Sequence, residues 1–220
     1  MTALDTEIAR SNMIEQQIRP CEVIDERVLQ AFREVPREKF VGDAYLGLAF
    51  ADIHVPLKQD DVMMKPLQEG IMLQALEVQP GERVLEIGTG SGFVTACLLH
   101  LGGDVTSYEI DPDLSAAAAE NLANAGYTGA ALRVGDVFDT AFEPRGYKVI
   151  AVTGSLPVNT EALENLLAPG GRMFAVIGEQ PVMHATLITR SEQGELHREA
   201  ICETLLPALQ NAPQPEKFSF

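Results

Sequence analysis

The 220-residue sequence predicts an α/β protein: a mainly parallel seven-stranded sheet with helices on both faces and an N-terminal helical extension. Three observations predict it. From Pro80 onward, short apolar runs alternate with helical stretches, the pattern of a parallel sheet covered on both sides. The first of those runs ends in three glycines spaced two apart and leads into a helix. The residues before Pro80 show helical patterns and no comparable strand run.

Taken in order, Ile8, Ile14 and Ile18 recur at near-helical spacing before Pro20 stops the run. Asp25 is placed to cap a second helix whose apolar stripe is Val28, Leu29, Phe32 and Val35, ended by Pro36. Residues 37–65 carry no clear periodicity. Pro66 suits a first helical turn, and Leu67, Ile71, Ala75 and Leu76 are the expected buried face of that helix. The strand runs are Arg83–Ile87, Val105–Ile110, Ala131–Val134, Lys148–Thr153 and Arg172–Ile177. Ser91–Leu101, Pro112–Ala125 and Thr160–Leu167 read as helices between them. After Gly178, His184–Arg190 and a run near Arg198–Leu206 suggest a closing antiparallel hairpin, and Pro207–Phe220 an irregular tail. The expected division is a 1–65 extension packed on a 66–220 ligand-binding domain.

Composition narrows the function. Sixteen basic against 32 acidic residues give a net charge of −16. A chain this acidic repels phosphate backbones, so nucleic acid is not an expected partner. No apolar run reaches the roughly 20 residues of a membrane-spanning helix, and Met1–Pro20 does not read as a signal peptide. A cytoplasmic protein without a membrane partner is the expectation. Cys21, Cys97 and Cys202 lie far apart without metal-ligand spacing, so no metal is expected.

The glycine loop carries the chemistry. Glu86-Ile87-Gly88-Thr89-Gly90-Ser91-Gly92 joins a strand to a helix. Glycines there allow a sharp turn and a close approach of ligand to main chain; a tight turn without ligand would need only one of them. The spacing is G-x-G-x-G, not the G-x-G-x-x-G aimed at a dinucleotide pyrophosphate. Glu86 is a poor neighbour for pyrophosphate and a good one for a cationic ligand such as S-adenosylmethionine (SAM), which has a sulfonium and an ammonium. Glu109-Ile110 ends the second strand, where an acidic side chain can accept both ribose hydroxyls. Asp136-Val137 follows the third strand, where the carboxylate can accept from an adenine amino group and Val137 can pack on the ring. Glu109 could equally be a solvated strand end, and Gly135-Asp136 an ordinary turn.

These residues resemble those of the protein-L-isoaspartate O-methyltransferase family, whose fold is Rossmann-like, of the class I SAM-dependent methyltransferase type. The resemblance spans most of the chain. Met13-Ile14-Glu15-Gln16-Gln17 and Asp25-Glu26-Arg27-Val28-Leu29 are similar to the family's N-terminal extension. Val35-Pro36-Arg37-Glu38-Lys39-Phe40-Val41 is similar to its V-P-R-E-x-F-V signature, and Ala44-Tyr45 and Val55-Pro56-Leu57 also fit. Val84–Phe93 matches V-L-E-I-G-T-G-S-G-Y almost throughout. Val152–Pro157, Pro169–Arg172 and Val176–Gly178 resemble later signatures. The resemblance implies SAM as cofactor, with S-adenosyl-L-homocysteine (SAH) as product, held by Glu86, Ile87, Gly88, Thr89, Gly90, Ser91 and Gly92. It places Glu109 at the ribose, Asp136 and Val137 at the adenine end and Thr153 near the methionine portion, with Ile110 also among the cofactor-binding residues. It also implies repair chemistry: methylation of isoaspartyl carboxylates in a protein acceptor.

One segment departs from the family. Where the family has G-Q-T-I-S-Q-P, with a serine that helps hold the substrate carboxylate, this chain has Asp60-Asp61-Val62-Met63-Met64-Lys65-Pro66. Met64 stands at the serine and Val62 at the threonine, and neither can donate a hydrogen bond. Lys58, Asp61, Val62, Met64 and Lys65 are therefore the candidate substrate residues, with Lys58 and Lys65 the cations on offer. The alternatives to isoaspartyl methylation are a paralogue acting on another small molecule or protein group, and a SAM-binding interaction protein without turnover. No catalytic residue is assigned. A carboxylate nucleophile needs no general base, whereas an amine or phenol often does. His54 is then the nearest candidate base, its alternative role being structural.

Overall fold

The computed structural model describes residues 3–58, 60–142, 144 and 146–215. A seven-stranded sheet has the order β5-β4-β3-β6-β7-β8-β9. Its strands are β3 (Arg83–Ile87), β4 (Asp104–Glu109), β5 (Ala131–Val134), β6 (Tyr147–Leu156), β7 (Leu167–Glu179), β8 (Val182–Arg190) and β9 (Leu196–Glu203). β5 to β7 run parallel, and β8 and β9 close the sheet antiparallel. β1 (Val55–Pro56) and β2 (Val62–Met63) form a separate two-residue ladder.

β3 lies inside the sheet, paired to β4 on one side and β6 on the other. Val84, Leu85, Glu86 and Ile87 are buried, as a strand covered on both faces requires. Strand order reverses between β3 and β6, which opens a crevice at their carboxyl ends. The helices that border it start by local rules. α4 (Phe93–His100) begins after Gly92, whose φ is +87°. A Cβ at Gly92 would come within 3.2 Å of Leu122 and 3.3 Å of the Ala118 carbonyl, so the glycine also lets α5 (Pro112–Ala125) pack close. α5 is capped by Asp111, which accepts from the amides of Asp113 and Leu114, and ends at Gly126 with φ +84°.

The N-terminal segments are α1 (Ala3–Asn12), a π-helical turn over Met13–Ile18, a 3₁₀ turn over Arg19–Cys21 and α2 (Glu26–Glu34). Asp25 caps α2 through the Arg27 amide, as its sequence position predicts. The isoleucine pattern holds only in part. Ile14 and Ile18 are buried, but Ile8 is 52% exposed. Six residues advance an α-helix by about 240°, so Ile8 could not share a face with Ile14. α3 (Pro66–Leu76) also differs from expectation. Glu69, Met72, Leu73 and Leu76 form its deeply buried side, while Leu67, Ile71 and Ala75 are half-buried on the flank of the core. The helix is enclosed on several sides, and a single stripe does not describe it. Two sheet helices are shorter than the sequence pattern: α4 ends at His100, and α6 is a single turn, Glu161–Glu164. β7 is longer, running through Pro169-Gly170-Gly171, with a register shift against β6.

Extension and sheet share one continuous set of buried side chains. Met13, Ile14, Val28, Phe32 and Phe40 pack in the same cluster as Val84, Phe93, Val149 and Phe174. The Phe32 and Phe40 rings lie 5.8 and 5.7 Å from that of Phe93. A chain restricted to residues 66–220 would expose this face, and each large core side chain left uncovered loses roughly 1.5–3 kcal/mol. Such a chain is expected to lack a cooperative thermal transition by circular dichroism; a sharp melt would mark 66–220 as an independent unit.

Candidate cofactor and acceptor site

Two adjoining cavities occupy the crevice. The larger, about 730 Å³, is lined by Ile87, Gly88, Gly90, Glu109, Ile110, Asp136, Val137 and Thr153, with Asp61 and Val62 across from them. The smaller, about 290 Å³, is lined by Val62, Met63, Met64 and Glu69, by Gly88, Thr89, Gly90 and Ser91 of the loop, and by Phe93, Val94 and Thr153. Leu57 borders both.

The loop is shaped by three left-handed glycines, with φ of +94° at Gly88, +52° at Gly90 and +87° at Gly92. A Cβ on Gly88 would land on the Thr153 hydroxyl. That hydroxyl donates to the carbonyls of Ile87 and Gly88 at 2.8 and 2.5 Å, so β6 holds the turn from the far side of the crevice. The Thr89 hydroxyl bonds Ser107 at 2.6 Å. Glu109 at the end of β4 accepts from the amide of Gly90 at 2.8 Å and from that of Asp111 at 3.1 Å. The Gly90 N–H, which a pyrophosphate would need, is thus already taken by a carboxylate. The carboxylate oxygens keep further lone pairs for a ligand hydroxyl pair. Asp136 accepts from Phe138 N and from the Asn211 side chain, at 2.8 and 2.7 Å.

Glu86 lies outside both linings. It is fully buried beneath the loop, where one oxygen accepts from Thr95 at 2.5 Å and the other accepts no hydrogen bond among the described residues. Burial raises its pKa to about 7, against the Ser107 and Thr95 hydroxyls, which lower it. Gly92 is also outside the linings and serves the start of α4.

Of the residues expected at the substrate, Val62 and Met64 line the smaller cavity, and Asp61 and Val62 the larger. The two lysines do not join them. Lys58 Nζ is held at 2.6 Å by Asp111 and 2.8 Å by Asp113, and these partners raise its pKa to about 12. Lys65 is half-buried next to Pro66, away from both linings. Burial raises the pKa of Asp61, and the nearby Asp111 adds to it. His54 bonds Gln68 at 2.8 Å, and Gln68 in turn donates to Thr204 and the Leu205 carbonyl. That chain joins α3 to the C-terminal segment, and burial lowers the His54 pKa.

Two contributors were not evident from sequence. The first is the segment Leu206–Gln210, which lines the larger cavity. It is pinned beside β6 by Ser155 N donating to Pro207 O and Leu209 N to Ser155 O. Gly154 accommodates it, since a Cβ there would strike Leu209. The second is Glu69, whose buried pairing with Arg37 places a carboxylate at the smaller cavity. A charge among apolar helix residues is a visible signal, but its partner 32 positions away is not.

Comparison with known proteins agrees with this geometry. A family model described as Protein-L-isoaspartate(D-aspartate) O-methyltransferase (PCMT) matches residues 8–211. The chain belongs to that family. Its members are SAM-dependent methyltransferases. The chain is 36% identical over 189 residues to protein-L-isoaspartate O-methyltransferase 2 of Anaeromyxobacter sp. (strain Fw109-5), covering 86% of this chain and 78% of that one. It is 37% identical over 205 residues to protein-L-isoaspartate O-methyltransferase of Aeropyrum pernix, covering 91% and 79%. Its fold is similar, with a TM-score of 0.79 and 18% identity, to a Plasmodium falciparum structure described as a beta-aspartate methyltransferase in complex with SAH, covering 93% of this chain and 98% of that one.

Replacing Glu109 by Ala should weaken SAH binding by at least tenfold, since charge-assisted hydrogen bonds are worth roughly 1.5–3 kcal/mol each before compensation. Isothermal titration calorimetry measures it; equal affinities in the two proteins would contradict the ribose role.

Proposed function

We propose that the crevice binds SAM and transfers its methyl group to an acceptor seated in the smaller cavity, and that isoaspartyl carboxylates are poor acceptors. The carrying observation is the lining of that cavity. It joins the glycine loop and Thr153 to Val62, Met63, Met64 and Glu69, with no side-chain hydroxyl from the 60–66 segment.

The residues present fit the cofactor. Glu109 would accept the two ribose hydroxyls. Asp136 would accept from the adenine amino group, in place of or beside Asn211, while Val137 and Ile110 pack against the ring. Gly88, Thr89, Gly90, Ser91 and Thr153 would border the methionine portion. Membership of the family supports this assignment, as does the SAH in the Plasmodium falciparum structure. The bound cofactor supplies a methyl group on a sulfonium, already a good leaving group. The chain contributes position and shelter. Leu57, Met63 and Met64 close the cavity with apolar surface, and alignment of nucleophile and methyl carbon can supply about 7–11 kcal/mol. A protein acceptor fits the family; within it, the acceptor group is set by the cavity.

An isoaspartyl carboxylate in that cavity would find no hydroxyl donor from Val62 or Met64, and each unmet polar partner costs roughly 1–3 kcal/mol. At about 1.4 kcal/mol per tenfold, two such losses slow turnover by one to four decades. Wild-type protein with labelled SAM should therefore methylate an isoaspartyl peptide at least tenfold more slowly than the Val62→Thr/Met64→Ser variant. Rapid wild-type turnover with no gain in the variant would show the acceptor site to be unchanged.

A further inference from the structure

The segment after β9 forms a strap across the crevice. At one end it is tied to β6: Ser155 N donates to the Pro207 carbonyl at 2.8 Å and Leu209 N to the Ser155 carbonyl at 2.9 Å, and Leu206 is buried. At the other end the Asn211 side chain donates to Asp136 Oδ2, in the loop after β5, at 2.7 Å. Sheet order puts β4 and β3 between β5 and β6. Residues 206–210 line the larger cavity together with Ile87 and Glu109, which end those two strands. The anchor on β6 is a backbone ladder backed by a buried side chain. The anchor on Asp136 is one exposed side chain.

Asn211 suits that contact. Its φ of +60° is left-handed, a conformation asparagine adopts more readily than most residues. A carboxylate only accepts hydrogen bonds, so the amide group facing Asp136 is the NH₂. Asp136 is thereby held at three atoms. Oδ1 accepts from Phe138 N at 2.8 Å, Oδ2 from Asn211, and the main-chain carbonyl from the Thr140 hydroxyl at 2.6 Å. Each carboxylate oxygen keeps a further lone pair, and Asp136 lines the cavity. Turning the carboxylate toward solvent would break the Phe138 and Asn211 hydrogen bonds together.

We propose that Asn211 is a positioning residue for cofactor specificity: by fixing the Asp136 carboxylate it makes the site choose a purine with a 6-amino group over one with a 6-oxo group. This rests on the reading of the crevice as a SAM site with Asp136 at the adenine. The amino group donates to the held carboxylate. A 6-oxo group in the same place sets acceptor against acceptor, and the purine then carries its hydrogen on the neighbouring ring nitrogen. A carboxylate free to turn could follow that hydrogen or move into water. A held one cannot, so the mismatch stays unpaired, which is how a polar site rejects an analogue.

The test compares, by calorimetry on the full chain, the affinities for SAH and for S-inosyl-L-homocysteine, its 6-oxo counterpart. Wild type should bind SAH at least tenfold more tightly. Asn211→Gly removes the side chain and still permits the left-handed backbone. Asn211→Asp keeps the size and loses the donor at neutral pH. In both variants the preference for SAH should fall at least threefold. A strap with a merely structural role would weaken the two ligands by the same factor, so an unchanged ratio in either variant would overturn the proposal. So would a wild type that binds the two ligands equally, a comparison that requires no variant to fold. Failure of wild type to bind either ligand would overturn the cofactor reading, and this inference with it.

Discussion

The buried contact between Arg37 and Glu69 is the constraint on which the acceptor side of the molecule depends. Arg37 comes from the turn after α2 and Glu69 from α3. Through the carbonyls of Ala49 and Met64, the same guanidinium fixes both ends of the 49–64 segment. Through Phe93 it also rests on the first residue of α4, directly after the glycine loop. Burying two charges costs several kcal/mol per ion, which only near-complete hydrogen bonding offsets. Each Arg37 nitrogen donates one hydrogen bond, whereas Glu69 Oε1 is buried and accepts none among the described residues. The pair therefore joins the extension to α3 and to the start of α4, directly after the glycine loop.

The cofactor side follows from the sheet. Reversal of strand order between β3 and β6 opens the crevice, and positive-φ glycines let the loop turn tightly beneath it. The acids at the ends of neighbouring strands do different work. Glu109 secures the Gly90 amide and faces the larger cavity, whereas Glu86, on β3, is turned into the packing against α4 and meets Thr95. They are separated along the strands: Glu86 stands opposite Ser107 inside the sheet, whereas Glu109 lies two residues further on at the crevice, and Ile87, on the opposite face from Glu86, lines the cavity.

Much of this was legible in the sequence. Apolar runs bounded by turn residues located the strands because a parallel sheet is buried on both faces, and Asp25, Asp111 and Gly126 cap helices by local hydrogen bonding that sequence displays directly. Gly88, Gly90, Glu109 and Asp136 stand after successive strands and Thr153 was implied by the family resemblance; all five line the larger cavity. What escaped was long-range. Leu206–Gln210 reaches the crevice only by bridging to β6, and nothing local in a proline-containing tail announces it. Lys58 seemed free to serve a substrate until Asp111 and Asp113, over 50 positions away, were brought against it. Ile8 is exposed because its spacing to Ile14 does not keep one helical face, and Glu69 gives no signal of its own because its buried partner Arg37 comes from another segment.

The crevice is proposed to present a cofactor, held by the acids that follow β4 and β5, to an acceptor in the cavity lined by Met63 and Met64. A crystal structure with SAH tests it most directly. Ribose hydroxyls are expected on Glu109, adenine between Val137 and Ile110 near Asp136, and the homocysteine sulfur facing the cavity lined by Met63 and Met64. Density for SAH with its ribose away from Glu109, or its sulfur turned away from that cavity, would contradict it.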